Sequence, residues 1–192
     1  WKDYGFDRAR TQVLNQVFRS SRAIMGAALP LIRDAGGSAT ERALLTLPEA
    51  PCAPVELWLC RDEGRELAAI ADRIDQLVRV GMPPSNIGVL LEAARRQGEF
   101  EAMLRARGIR MERHTKGNGR KSIDIFDPSV KVLPLSSAKG LEFQVVFVPG
   151  VTEKRYPSAD GPVIILARQR RQLYVAMTRS GHHLVLSAVE RD

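Results

Sequence analysis

Residues 134–148 read PLSSAKGLEFQVVFV, in which a turn rich in small and hydroxyl-bearing residues leads into an apolar run. The run VVFV has the near-continuous apolar character of a strand covered on both faces, as strands of parallel sheets are. Further strand-like runs lie at 55–60 (VELWLC), 86–91 (NIGVLL), 131–135 (KVLPL) and 183–187 (HLVLS). Because segments of helical spacing separate these runs, the sequence predicts an α/β fold with a parallel sheet flanked by helices.

The predicted helices carry their apolar residues on one face. In the longest of them, apolar residues recur at helical spacing from Leu67 to Val78. Gly81 stands where a helix end favours a left-handed residue, and the two prolines that follow prevent continuation. A second helix is expected to end at Gly108, and a third to span 169–179, between the last two strands.

The composition indicates an ordered, soluble domain. The chain has 192 residues, of which 44% are hydrophobic and 27% charged, and this excludes a disordered protein. No apolar run approaches the ~20 residues of a membrane-spanning helix, and Cys52 and Cys60 alone are too few for a disulfide scaffold. We therefore expect a cytoplasmic protein with no membrane anchor. The chain begins at Trp1 rather than Met, and we expect it to be a fragment of a longer protein.

The turn at 134–143 has the chemistry of a phosphate and sugar site. Backbone N–H groups and serine hydroxyls in a tight turn can meet phosphate oxygens, and Glu142 can accept a hydrogen bond from a sugar hydroxyl. The GxxxxGK[ST] spacing of a Walker A loop is absent. The alternative is an ordinary strand–turn–helix joint with a helix-capping serine.

A second segment, 168–180 (RQRRQLYVAMTRS), predicts a helix that ends close to Arg179. A guanidinium at that end can reach a phosphate, as an arginine finger does. The alternative is a solvated basic face, with arginines that interact favourably with the helix dipole.

The third segment is 14–24 (LNQVFRSSRAI), in which Ser20 or Ser21 is expected to cap a helix that includes Ile24. Phe18 and Arg19 would precede that helix, where an aromatic ring can stack on a base and a guanidinium can bind a phosphate. The alternative is a phenylalanine that staples the helix, beside a surface arginine.

Together and in this order, the three segments resemble the motifs of superfamily 1 DNA helicases of the UvrD/Rep/PcrA type. LNQVFRSS is similar to motif IV, PLSSAKGLEFQVVFVPGV to motif V and RQRRQLYVAMTRS to motif VI. The sequence between them resembles the second RecA-like domain (2A) of that family. The resemblance extends from about Leu14 to about Ser187, and it implies that 1–192 form a single RecA-like (P-loop NTPase-like) domain.

The resemblance implies the C-terminal motor domain of an ATP-dependent DNA helicase or translocase. In that family, ATP and Mg²⁺ bind between two RecA-like domains, and the N-terminal one supplies the Walker lysine and acids. Carried over by position, Arg19 and Arg179 are the catalytic arginines that contact the γ-phosphate. Phe18 stands where a tyrosine stacks on adenine, Glu142 would bind the ribose, and Gly140 would let the backbone approach closely. Without the N-terminal domain the chain is expected to be inactive.

The nucleic-acid contacts follow from the same resemblance. Ser136, Ser137 and Lys139 are expected near the path of single-stranded DNA or of a DNA junction, as in helicases of DNA repair. No metal ligands are predicted, because the spacing of His182 and His183 relative to the other histidine and the cysteines matches no ligand pattern. Trp58, in a predicted strand, is expected in the core.

The chain departs from the family pattern at several positions. Pro134 and Ser136 replace the usual Thr and His of motif V, and Arg168 and Gln169 replace two acids of motif VI. These changes favour an alternative class of protein, a degenerate helicase-like module that binds nucleic acid or a protein partner without hydrolysing ATP.

The accessory 2B domain of many relatives is expected to be absent, with a basic linker at 110–125 in its place. Segment 105–121 carries seven basic residues and one acid, which accounts for most of the net charge of +7. We hypothesise that this linker contacts the nucleic-acid backbone.

Overall fold

A computed structural model describes residues 20–32, 53–114, 123–152 and 162–190. The longer elements, in chain order, are α1 (Arg22–Ala28), β1 (Glu56–Cys60), α2 (Glu63–Arg79), β2 (Ile87–Leu90), α3 (Ala94–Arg105), β3 (Met111–Arg113), β4 (Val130–Leu133), β5 (Phe143–Val148), α4 (Val163–Met177) and β6 (Ser180–Val189). Short 3₁₀ helices occupy Leu29–Ile32, Pro84–Asn86 and Leu135–Ser137.

The strands of the described segments form one six-stranded sheet in the order β1-β6-β5-β2-β4-β3. Every neighbouring pair is parallel, which confirms the predicted α/β class and parallel sheet. The pattern missed β3, because its three residues are polar or only half-buried and carry no apolar run. Three residues of the predicted linker at 110–125 therefore belong to a strand, since β3 spans Met111–Arg113.

The described helices cover the two faces of the sheet with separate apolar clusters. On one face, α2 and α3 pack against alternate strand residues such as Val145 and Phe147. On the other, α1 and α4 pack against the intervening residues Val146 and Val148. Since β5 is covered on both faces, its run FQVVFV is apolar at nearly every position.

The ends of two helices follow the sequence signals. Gly81, just beyond α2, has a φ of 96°, which a residue with a side chain rarely adopts. Ser21 caps α1, since its Oγ accepts a hydrogen bond from the Ile24 N–H at 3.3 Å. The α-helix then changes to a 3₁₀ helix that contains Pro30, because proline has no N–H to continue the α-helical bonding.

A buried ionic network joins four elements at the carboxyl edge of the sheet. The Glu66 carboxylate on α2 pairs with the Arg96 guanidinium on α3, and both side chains are almost fully buried. One Glu66 oxygen also accepts hydrogen bonds from the Gly150 N–H and from the Ser187 hydroxyl, each at 2.8 Å. The network ties both helices of one face to the ends of β5 and β6.

Gly88 in β2 leaves room for the Phe143 ring at the start of β5. A Cβ at Gly88 would lie 2.6 Å from Phe143 Cδ2, well inside van der Waals contact. We predict that Gly88→Ala lowers the free energy of unfolding by about 1–3 kcal/mol through overpacking, measured by urea unfolding of the 192-residue chain.

The matched control is Gly98→Ala in α3, where a Cβ would meet no atom within 4 Å. That variant is expected to raise stability by roughly 0.5–1 kcal/mol, because alanine is the better helix former. Equal effects of the two substitutions would contradict the steric role of the Phe143 ring.

None of the helices in the described ranges is both long and apolar enough to cross a bilayer.

Candidate nucleotide and nucleic-acid site

Arg179 lies at the joint between α4 and β6, and main-chain oxygens hold its guanidinium. Nε donates to the Val175 carbonyl at 3.0 Å and Nη1 to the Leu141 carbonyl at 3.2 Å. Nη2 lies 3.4 Å from the Thr178 hydroxyl. The side chain is half-buried. Arg179 therefore joins the last turn of α4 to the loop that contains the predicted nucleotide residues.

Glu142 lies next to Arg179 across two neighbouring strands. Phe143 and Ser180 are register partners at the start of β5 and β6, and the Phe143 N–H donates to the Arg179 carbonyl at 3.0 Å. Glu142 and Arg179, each one residue earlier, both stand at the amino edge of the sheet. The Glu142 side chain is exposed there.

Ser20 brings the end of the motif IV segment to the same edge. Its buried hydroxyl donates to the Thr178 carbonyl at 3.2 Å, across 158 residues of sequence. The predicted Phe18 and Arg19 lie outside the described residues. The described contact nevertheless joins the residue after Arg19 in the sequence to the residue before Arg179.

Gly140 forms the tight turn that precedes Glu142. Its φ is 88°, and the Leu141 N–H donates to the Ala138 carbonyl at 3.2 Å. Only glycine adopts this conformation without strain, so the structure gives Gly140 a role in the turn itself. Its predicted approach to a nucleotide stays a prediction.

The motif V turn begins with a side-chain cap. The Leu135 N–H donates to Glu92 Oε1 at 2.9 Å, and Leu135–Ser137 then form one 3₁₀ turn. In this turn Ser136 is exposed and Ser137 half-buried, and Lys139 is exposed just beyond it. The three predicted nucleic-acid residues thus lie within one short surface segment.

An open groove of about 290 Å³ separates this turn from α4. We call it the α4 groove; its lining residues are Leu135, Ser136, Lys139, Arg168, Arg171, Gln172 and Val175. Two predicted residues, Ser136 and Lys139, line it together with three polar residues of α4 that the sequence analysis did not assign to a site. Their spacing of three and four residues places them on one helix face, a signal that the sequence already contained.

The described arginines of segment 105–121 are paired with acids. The pairs are Arg105 and Arg113 with Glu101, Arg107 with Asp72, and Arg110 with Asp127. The hydrogen bond from Arg113 to Glu101 lowers the pKa of that carboxyl. Lys116, Arg120 and Lys121 lie outside the described residues. Any nucleic-acid contact of the linker therefore stays a prediction that rests mainly on those three residues.

His183 is engaged by a carboxylate, and Trp58, expected in the core, is half-buried and packs against the core cluster. His183 Nε2 lies 2.6 Å from Glu56 Oε1, and the Trp58 indole donates to Glu56 Oε2 at 2.8 Å. Burial opposes ionisation of Glu56, but the bonds from Trp58 and His183 outweigh it and lower its pKa. The Trp58 ring lies 6.1 Å from that of Phe147. Among the described residues, no group of three or more His, Cys, Asp or Glu is arranged to hold a metal ion.

The fold is similar to that of a solved helicase C-terminal domain. The C-terminal domain of a possible DNA helicase from Lactobacillus plantarum WCFS1 superposes with a TM-score of 0.58 over 90% of this chain and 87% of that domain. The two sequences are 19% identical, so this comparison concerns the fold alone.

The sequence comparison gives the family. Residues 113–191 match the family model of the UvrD-like helicase C-terminal domain. The result confirms the resemblance read from motifs V and VI; motif IV, at 14–21, precedes the matched range.

Curated relatives agree with this assignment. DNA helicase II of Escherichia coli K12 is 37% identical over 76 residues, 38% of this chain. The "Probable DNA helicase II homolog" of Mycoplasma capricolum is 42% identical over 65 residues, 33% of this chain. The aligned segments cover only 10% and 9% of these relatives.

Proposed function

We propose that this chain is the second motor domain of an ATP-dependent DNA helicase or translocase. It would complete an ATP site with an N-terminal RecA-like domain of the same protein, and would act in the cytoplasm on single-stranded DNA or a DNA junction. The family of residues 113–191 supports the helicase class. The finer assignment rests on the geometry of the amino edge of β5 and β6.

One observation carries the proposal: three sequence-distant segments meet at that edge. Arg179 bonds the Leu141 carbonyl, Glu142 follows Leu141 directly, and the Ser20 hydroxyl bonds the Thr178 carbonyl. The segments are those in which the sequence analysis predicts the γ-phosphate and ribose contacts. An ATP site shared with a second domain needs such a cluster on one exposed edge.

The chemistry of these residues fits part of a bound ATP. A guanidinium supplies N–H donors in a planar fork that matches phosphate oxygens, and an exposed carboxylate accepts hydrogen bonds from ribose hydroxyls. The sequence has no Walker A lysine loop, and its described residues include no acidic cluster that fits Mg²⁺. The metal, which would neutralise phosphate charge, would therefore be held by the N-terminal domain.

In this mechanism Arg179 stabilises the charge that develops on the γ-phosphate as it is transferred. The carbonyls of Val175 and Leu141 hold the guanidinium in place, so little reorganisation is needed when the two domains close. Because Arg179 belongs to this domain and the Walker lysine to the other, hydrolysis weakens the contact between the domains. Cycles of closing and opening would move a strand gripped by both.

Ser136, Ser137 and Lys139 would contact that strand. Hydroxyl and ammonium donors bind phosphate oxygens without reading bases, which suits a protein that moves along DNA of any sequence. Their position on one exposed turn supports this role.

ATP turnover by the full protein separates this proposal from the alternative module. A motor is expected to hydrolyse ATP, and single-stranded DNA should increase the rate. A protein that binds labelled single-stranded DNA but shows no ATP turnover above background would favour the degenerate module, to which the motif V changes at Pro134 and Ser136 point. Steady-state phosphate release, with and without oligothymidylate, makes the distinction.

A further inference from the structure

We propose that the α4 groove binds the phosphate backbone of single-stranded nucleic acid, with Arg168 and Arg171 of α4 as contacts in addition to Lys139. The inference rests on the proposed function and extends the strand path from the motif V turn onto a helix. It assigns a binding role to two arginines for which the sequence had offered only a solvated basic face as an alternative to phosphate contact by Arg179.

The geometry of the groove suits an extended polyanion. Its lining includes the apolar Leu135 and Val175, with Lys139 just beyond the 135–137 turn and Arg168 and Arg171 on α4. Residues three apart on a helix lie on one face, about 5 Å apart along the axis. The two arginines can therefore contact neighbouring phosphates of one strand, with Lys139 opposite them.

The charge of the groove is uncompensated within the described residues. No acid there pairs with Lys139, Arg168 or Arg171; the Arg171 Nε donates only to the Ala167 carbonyl, at 3.2 Å. The arginines of β3 and its flanks, by contrast, each pair with an acid. Three cations around an open groove attract an anion. The charge of each paired arginine is instead offset by a neighbouring carboxylate.

The lining also indicates which part of a nucleic acid is bound. None of the residues that line the groove is aromatic, so the groove offers no ring on which a base or a free nucleotide could stack. Its polar groups are cations, the Ser136 hydroxyl and the Gln172 amide, which suit phosphate oxygens. Moreover, Arg168 replaces an acid that is usual in motif VI, and an acid at this position would repel phosphate. These features favour the backbone of a strand over a nucleotide.

The test is the salt dependence of strand binding. An oligothymidylate of about 16 nucleotides, labelled with fluorescein, is titrated by anisotropy with the 192-residue chain and with R168Q/R171Q. Loss of two phosphate contacts should reduce the slope of log K against log salt by about 1.4. Between about 50 and 200 mM salt, the affinity of the variant should then fall about 7-fold less than that of the wild type.

The matched control is R79Q/R95Q, which removes the same charge from exposed arginines of α2 and α3. Those helices cover the opposite face of the sheet, so the control slope should stay within about 0.3 of the wild-type slope. An equal decrease in both variants would reveal an effect of net charge alone and would overturn the groove assignment. Unchanged slope in R168Q/R171Q would overturn it as well.

The remaining outcomes separate this inference from the proposed function. Failure of the wild-type chain to bind the oligonucleotide at about 50 mM salt contradicts both the groove and the strand-binding part of the motor proposal. If R168Q/R171Q and the wild type have equal salt slopes, while the ATP turnover of the full protein still depends on Arg179, only the groove assignment is wrong. Polyglutamate serves as the probe for an acidic protein ligand: if it displaces the strand as well as unlabelled oligothymidylate of equal charge does, the assignment to nucleic acid is wrong.

Discussion

Arg179→Ala should reduce DNA-stimulated ATP turnover of the full protein by about 10³–10⁵-fold, the usual effect of removing an arginine finger. This corresponds to about 4–7 kcal/mol of lost transition-state stabilisation. Nucleotide affinity should change far less, because the guanidinium acts mainly on charge that develops during transfer. Steady-state phosphate release gives the rate, and equilibrium binding of a fluorescent ATP analogue gives the affinity.

Two further variants make the Arg179 result specific. Arg79→Ala removes an exposed arginine that forms an ion pair with Asp75 on the same helix, and it should leave turnover unchanged. Arg179→Lys keeps the charge but loses the planar fork that bonds two carbonyls, and most of the rate should still be lost. Near-normal turnover in Arg179→Ala, in a variant that melts like the wild type, would rule out the finger.

Arg96→Ala should lower the free energy of unfolding by about 3–5 kcal/mol, because it leaves the Glu66 carboxylate buried without its cation. Glu66 is fully buried, and Arg96 is 3% exposed, so the remaining carboxylate is shielded from bulk solvent. For a domain of this size the loss corresponds to a decrease in melting temperature of about 6–20 °C. Urea unfolding and thermal melting of the 192-residue chain measure it.

The double variant E66Q/R96M tests whether the uncompensated charge causes that loss. It removes both charges and keeps an amide oxygen for the Gly150 and Ser187 donors, so it should recover most of the stability. Glu63→Ala is the milder control, because Glu63 is 40% exposed and lies 3.6 Å from Arg96. If the double variant were as unstable as Arg96→Ala, packing rather than charge would be the cause.

Much of the fold could be predicted because its strands are apolar on both faces and its helices on one. The runs at 55–60, 86–91 and 145–148 need no tertiary information to be recognised. β3 could not be predicted in this way: its residues Met111–Arg113 are strand-forming only because they pair with β4. The sheet order likewise depends on packing between distant segments, which periodicity does not contain.

In the candidate site, too, the features carried by a local motif could be predicted and those that depend on packing could not. Glu142 and Arg179 could be proposed as site residues from local motifs, since each motif contains its own chemistry. The α4 groove could not, because it exists only where the 135–139 turn docks against α4. The pairing of the arginines in segment 105–121 could not be predicted for a related reason: the three acids that pair with them, Asp72, Glu101 and Asp127, all lie outside that segment.

The pairing of β1 with β6 has a consequence for folding during synthesis. β1 is an edge strand whose only neighbour in the described sheet is β6, and its Glu56 is 127 residues away from His183, its hydrogen-bond partner. At about 5–20 residues per second, the ribosome needs about 6–25 s to cover that interval. During this time β1 has no partner strand, and its Leu57 and Leu59, still about two-thirds exposed in the finished fold, are open to chaperones. The β2–β4–β3 part of the sheet can form first, and the described sheet is completed when β6 leaves the ribosome and inserts between β5 and β1.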